Sequence, residues 1–339
     1  MTVILMVFSI FSLSCSKKDS SGTPDSAPTN LTINAVVSTD SSGNVSFTAS
    51  ATNAVKYDYN FGNNISQNGV AGNIVYKYPF SGSYNVTVTA VSAGGQSISK
   101  SITIKVGVAL KLVWADEFDT PGSPDPAKWG YDIGTGSGGW GNNELEYYTN
   151  RQANAIISNG TLKIIAQKES YNGSAYTSAR MLTNNLYSFK YGKIDVRAKL
   201  PASTGTWPAI WMLGNNIATA GWPACGEIDI MEQSGSQKSI VLGTLHYPTE
   251  IGQYGDGSKT TISTASSEFH IYTAMWTPSS IQLSVDGSVY YTLNNSPAIP
   301  FNQPFFIILN VAMGGNLGGT IDPSFTIDQM EVDYVHVYQ

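Results

Sequence analysis

The chain reads as an all-β protein of two antiparallel β-sandwiches in tandem, and three observations carry that reading. Apolar residues recur with period two in short runs, such as Val45-Ser-Phe-Thr-Ala and Tyr84-Asn-Val-Thr-Val-Thr-Ala-Val91, as strands with one buried face require. Asn159-Gly160 and Asp286-Gly287 each lie beside or between such runs, and these dipeptides tolerate the positive φ angles of tight hairpin turns. No window sustains the apolar stripe of a helix.

Taken in order, Thr2 to Ser14 is an apolar run short for a bilayer span, and small residues lead into Cys15. The pattern resembles a bacterial lipoprotein signal. That resemblance implies a signal peptide over 1–14, acylation of Cys15, and export to a bacterial outer membrane, at the cell surface or the periplasmic face. Residues 15–30 are rich in Ser and Pro, cannot bury enough apolar area to fold, and read as a flexible tether.

The first sandwich is expected over 31–106. Within it, Tyr57-Asp-Tyr-Asn-Phe-Gly-Asn-Asn64 and Tyr76-Lys-Tyr-Pro-Phe-Ser-Gly-Ser-Tyr-Asn-Val-Thr-Val resemble the PKD (polycystic kidney disease) family of immunoglobulin-like domains. Asn60-Phe61-Gly62-Asn63-Asn64 stands where that family usually has Asp-Phe-Gly-Asp-Gly. Such modules are most often spacers, and no chemistry is assigned to this one.

The remaining 107–339 is long enough for one large sandwich of jelly-roll type. Tyr191-Gly-Lys-Ile-Asp-Val-Arg-Ala-Lys-Leu alternates apolar and polar residues up to Pro201, where strand pairing must stop. Trp114, Trp129 and Trp276 lie on separate segments and are expected in the core.

With 42% hydrophobic and 12% charged residues in a chain of 339, a sizeable core can be buried. A net charge of −6 leaves no basic stripe for a phosphate backbone, which argues against nucleic acid and favours an uncharged partner. Two cysteines cannot make a disulfide framework, and Cys225 reads as a small buried hydrophobe. Three histidines, with no nucleophilic Ser motif, give no support to a hydrolase triad or a zinc site, and His270 and His336 read as structural.

The chemistry concentrates in Gly226-Glu227-Ile228-Asp229-Ile230-Met231-Glu232. Glu227 and Asp229 share one face of a strand, but strict alternation would send Glu232 into the apolar layer with Ile228 and Ile230. A buried unpaired carboxylate is costly, and one extra residue, a β-bulge near Ile230 and Met231, returns Glu232 to the acidic face. Three carboxyls then line one cleft. Retaining glycosidases need two, about 5–5.5 Å apart. Crowding also favours a proton on one of them, as a general acid requires.

Upstream, Thr204-Gly205-Thr206-Trp207-Pro208-Ala209-Ile210-Trp211-Met212-Leu213-Gly214 and Gly221-Trp222-Pro223-Ala224-Cys225 place three tryptophans within sixteen residues beside the acids. Flat aromatic faces suit the apolar C–H faces of sugar rings. Here the sequence resembles glycoside hydrolase family sixteen, in particular the laminarinase-like members with the bulged motif. The match extends to Trp140-Gly-Asn-Asn-Glu-Leu-Glu-Tyr-Tyr148, Tyr176-Thr-Ser-Ala-Arg180, Gly243-Thr-Leu-His246, Phe305-Phe-Ile-Ile-Leu-Asn310, Gly314-Gly315-Asn316 and Val332-Asp-Tyr-Val-His-Val-Tyr338.

The resemblance implies a concanavalin-like jelly roll that hydrolyses internal bonds of a β-1,3-glucan or β-1,3-1,4-glucan with retention. Glu227 would be the nucleophile, Asp229 its assistant and Glu232 the acid/base. Trp207, Trp211, Arg180, Asn142 and His246 would contact sugar or support the acids. A planar guanidinium at Arg180 suits paired sugar hydroxyls or a structural salt bridge, and His246 could hydrogen-bond Glu232 and tune it. No cofactor is required for the chemistry. Family members often carry a structural calcium ion, and Glu117, Gly160 and Asp333 stand at the matching places. Two alternatives stay open: the same fold acting on galactans or host O-glycans, and a surface lipoprotein that binds glycan without cleaving it. Oligomeric state is not legible.

Overall fold

The computed structural model describes residues 26–249 and 255–339, so Cys15, the signal segment and most of the tether lie outside the described residues. The chain divides between Val108 and Ala109 into two compact units. Strand dominates both, at 56% of the chain against 4% helix.

The first unit stacks a three-stranded sheet (Thr29–Val37, Asn44–Thr52, Asn73–Lys77) on a four-stranded one (Ser66–Val70, Lys56–Asn60, Gly82–Val91, Ser97–Val106). Alternation places Val45, Phe47, Val86 and Val88 in a common core with Tyr59, Phe61 and Tyr78. The Tyr84 hydroxyl donates back to the Phe80 carbonyl at 2.7 Å, a corner bond typical of immunoglobulin-like sandwiches.

The second unit packs a ten-stranded sheet against a seven-stranded sheet. In the larger one, the C-terminal strand Ile327–Tyr338 lies between Thr161–Tyr171 and Gly192–Lys199, and Leu112–Asp116 also pairs with it. The hairpin Ser280–Val285 and Ser288–Asn294 forms its far edge. Its turn has φ values of 49° at Asp286 and 79° at Gly287, and Asn159-Gly160 repeats the pattern with 54° and 71°. The seven-stranded sheet runs in the order Asp256–Thr261, Ile240–His246, Glu227–Gln233, Thr206–Gly214, Phe305–Met313, Arg180–Leu182 and Gly130–Asp132.

Inward side chains from both sheets, among them Ile164, Val196, Trp276 and Leu283 opposite Met212, Ile228, Leu245 and Leu309, form one core. Trp129 and Trp276 are fully enclosed, and Trp114 packs partly buried against Trp129. Phe305–Met313 is buried at every position, which explains why its sequence is apolar on both faces, broken only by Asn310, rather than alternating. A second, smaller cluster of Leu182, Leu213, Cys225, Phe306 and Ile308 covers one end of the sheet's outer face. Among the described residues, helical structure is confined to short turns such as Ile217–Ala220 and Gly315–Gly318.

Candidate active site

The acids stand on Glu227–Gln233, with Thr206–Gly214 on one side and Ile240–His246 on the other. Pairing with the first neighbour passes from Trp211↔Asp229 directly to Ile210↔Met231, so Ile230 has no opposite residue. That is the bulge the sequence requires. Ile228, Ile230 and Met231 are all fully buried in the core, and Glu232 comes back to the face of Glu227 and Asp229.

Each acid has its own partners. Trp207 Nε1 donates to Glu232 Oε1 at 2.9 Å, and Trp222 Nε1 donates to Glu227 Oε2 at 3.0 Å. His246 Nε2 lies 3.1 Å from Asp229 Oδ2 and 3.8 Å from Glu227 Oε1. The imidazole is therefore aimed at the Glu227 and Asp229 end, not at Glu232 as the sequence suggested, because His246 is the register partner of Glu227 while Glu232 faces Leu242. Glu227, Asp229 and His246 are the one group of three potential metal ligands found among the described residues, within 4.8 Å of one another. In this chain that closeness serves a hydrogen-bonded network.

Burial drives all three carboxyl pKa values up. Glu232 is pushed to about 7 by desolvation, with the Glu227 and Glu144 carboxylates adding to the rise and the Trp207 N–H and His246 opposing it. Asp229 is raised well above the carboxylate range by burial and by its two acidic neighbours, so it keeps a proton to share with Glu227. Glu227 is also raised by burial, but His246, the hydrogen bond from Asp229, Arg180 and Trp222 pull it back toward ionisation. One carboxyl can thus serve as acid while another stays charged.

Trp207→Phe is expected to raise the Glu232 pKa above 7, because the lost N–H favoured the ionised form. The alkaline limb of kcat/KM should then move up by roughly half to one pH unit, read from a pH–rate profile. A second consequence concerns stability. Folded Glu232 holds its proton up to about pH 7, against an ordinary value of 4.5, so folding takes up a proton in that window and stability falls as pH rises through it. Above pH 7, Glu232→Gln should melt above the parent by roughly 2–4 °C for each kcal/mol relieved, measured by calorimetry.

Around the acids the outer face is built in layers. The Arg180 guanidinium lies between the rings of Trp140 and Trp211, 4.6 and 4.7 Å from their centroids, and its Nε is 3.0 Å from Asp132 Oδ2. Of the two sequence alternatives for Arg180 the salt bridge is present, and with the stacking it fixes the plane of the remaining donors. Trp211 Nε1 donates to Asn310, Asn310 Nδ2 donates to Tyr148, and Tyr148 and Asn142 both donate to Glu144. Asn142 therefore supports this network through Glu144. Glu146 beside it is fully buried and accepts the Met313 N–H at 2.6 Å, and burial together with the Glu144 carboxylate drives its pKa well above the ordinary value. Sequence reading did not single out Asp132, Trp140, Glu144 or Asn310. Three of these four stood in motifs already noted, but their roles depend on side chains that meet only across strands.

The two carboxylates considered for calcium have protein partners. Glu117 Oε1 accepts from His336 Nε2 at 2.7 Å and Asp333 Oδ2 accepts from Arg197 Nη1 at 2.5 Å. Gly160 is part of its hairpin turn, with φ of 71°. Each carboxylate thus has a protein donor on one of its two oxygens. A cavity of about 470 Å³ lined by Asp116, Glu117, Phe118, Asp125 and Lys128 lies nearby and contains none of the catalytic-face acids.

Paired carboxyls of unlike pKa on an aromatic-walled sheet face define the site of a glycoside hydrolase. Residues 142–336 match the model of glycosyl hydrolases family 16. A β-glucanase of Rhodothermus marinus is 46% identical over 246 residues, which span 68% of this chain and 85% of that one. Glucan endo-1,3-beta-glucosidase A1 of Niallia circulans is 35% identical over 301 residues, 80% of this chain but 44% of that longer protein. Among solved structures, LamA of Z. galactanivorans in complex with laminaritriose and laminaritetraose superposes with a TM-score of 0.65 at 44% identity, covering 68% of this chain and all of the other. The R. marinus laminarinase gives 0.65 at 45%, covering 68% of this chain and 98% of that one. This chain belongs to glycosyl hydrolase family 16.

Proposed function

We propose that the protein is a retaining endo-β-1,3-glucanase, acting on laminarin-type or mixed-linkage β-1,3-1,4-glucan, with Glu227 as nucleophile, Glu232 as acid/base and Asp229 as the group that orients Glu227. The observation that carries this is the bulged strand, which sets three acids on one face and gives the outer two different partners. The names of relatives support the choice of glucan, since a β-glucanase is 46% identical and two proteins called glucan endo-1,3-beta-glucosidase are 35% and 39% identical.

Glu227 attacks the anomeric carbon while Glu232 gives its proton to the departing glycosidic oxygen, so the C–O bond breaks and a glycosyl ester forms on Glu227. Glu232, now ionised, takes a proton from water. The water oxygen attacks the same carbon, Glu227 leaves as carboxylate, and Glu232 is protonated again. Two displacements give net retention. The Glu232 pKa near 7 suits a group that must both donate and accept at neutral pH. Arg180, held flat between two indoles, presents its free nitrogens to sugar hydroxyls, and Trp222, about half exposed, offers a stacking face at the mouth of the site.

The test is product analysis of the protein cut after Cys15, incubated with laminarin, mixed-linkage glucan, agarose, keratan sulfate and mucin O-glycans. Keratan sulfate belongs in the panel because a keratan-sulfate endo-1,4-β-galactosidase of Sphingobacterium multivorum is 33% identical over 68% of this chain. Release of β-anomeric oligosaccharides from laminarin, followed by NMR, supports the reading. Cleavage of agarose, keratan sulfate or O-glycans alone overturns the substrate, and tight glycan binding with no release from any overturns the enzyme. The wider setting belongs to the same proposal: an exported protein tethered through acylated Cys15, with the first unit as a PKD-like spacer. The Tyr84 to Phe80 corner bond supports the immunoglobulin-like part of that reading.

A further inference from the structure

The backbone ladder around Glu232 breaks at the bulge, and the broken carbonyl finds its partner in the opposite sheet. On the Ile240–His246 side, Asp229 faces Thr244 and Glu232 faces Leu242, so Ile230 and Met231 together oppose the single residue Gly243. A buried carbonyl displaced from its ladder must be satisfied elsewhere. Tyr290, on the Ser288–Asn294 strand of the ten-stranded sheet, reaches through the core, and its hydroxyl donates to the Ile230 carbonyl at 3.2 Å. The path is specific. A Cβ at Gly243 would lie 2.2 Å from the Tyr290 hydroxyl and 2.5 Å from Leu283 Cδ1. Gly243 is not among the positive-φ glycines, so space for this hydroxyl, and not backbone conformation, is what requires glycine there. Burial, reinforced by Asp229 and Glu232, drives the Tyr290 pKa up, which keeps the phenol a donor throughout the working range.

We infer that Tyr290 is a positioning residue for Glu232: its hydroxyl, admitted by Gly243, pins the bulge that aims the acid/base carboxyl at the leaving oxygen. This rests on the reading of Glu232 given above. Tyr290→Phe keeps the ring in the core and removes only the bond to the bulge, while Gly243→Ala forces the intact hydroxyl away. Both should lower kcat/KM on laminarin, whose leaving sugar needs a proton, by roughly tenfold. On a dinitrophenyl β-laminaribioside, whose leaving group needs none, kcat/KM should change less than about twofold, and laminaritetraose affinity by calorimetry should stay within the same factor.

The experiment compares both substrates in the parent and the two variants, with circular dichroism and melting to check folding. Selective loss on laminarin, in Tyr290→Phe or, should that variant not fold, in Gly243→Ala, supports the assignment. Equal loss on both substrates, or no loss on laminarin, overturns it. A parent inactive on both substrates overturns the catalytic reading itself, which is a different result from any pattern among the variants.

Discussion

Glu227→Gln is expected to lower laminarin turnover by roughly 10⁴-fold while leaving oligosaccharide affinity nearly intact. The amide has the shape of the carboxyl and can still accept the Trp222 N–H that lies 3.0 Å from Oε2. It cannot supply the electron pair that forms the glycosyl ester. Affinity and turnover should therefore separate, which distinguishes an enzyme from a glycan-binding protein. The smaller Glu227→Ala opens the face from which the nucleophile attacked. With azide and an activated aryl β-glucoside oligomer, azide should enter from that face and give the α-glycosyl azide. A β-azide from this variant would reverse the assignment of the two acids.

Glu232→Ala should show the complementary pattern. Loss of the proton donor is expected to cut kcat/KM on laminarin by roughly 10³-fold or more, but to spare an aryl glycoside whose leaving group departs unaided. The glycosyl ester on Glu227 would then accumulate, because no base remains to activate water, and burst kinetics should reveal it. Azide, which needs no base, should attack the ester and give the β-azide with faster turnover. The pKa of about 7 makes a further check available: the alkaline limb of kcat/KM near that pH should vanish in this variant on the aryl substrate. Persistence of the limb there would assign it to another group.

The bulge and the glycine opposite it show how the chemistry depends on packing that no motif announces. Glu232 can face the cleft because Ile230 and Met231 both turn into the core, and Gly243 on the neighbouring strand leaves the space at that point to the Tyr290 hydroxyl. The same logic governs Arg180. Its role is undefined by its neighbours in sequence, yet Trp140, Trp211 and Asp132, from three separate segments, hold it flat.

The amino-acid sequence by itself determined the strand-rich fold, the core of each strand through period-two patterning, the two hairpin turns through Asn-Gly and Asp-Gly, and the need for a bulge. These are local properties: a side chain's direction follows from its neighbours in one strand, and a charged group that would otherwise point into the apolar layer exposes the irregularity. Only the tertiary structure decided which partner each acid has. His246 meets Asp229 and Glu227, because cross-strand register pairs it with Glu227. Glu117 and Asp333 are occupied by His336 and Arg197. Tyr290 reaches the bulge from another sheet. Such contacts join residues from 17 to 219 positions apart, and their chemistry depends on desolvation and distance, which arise only once both sheets close over a common core.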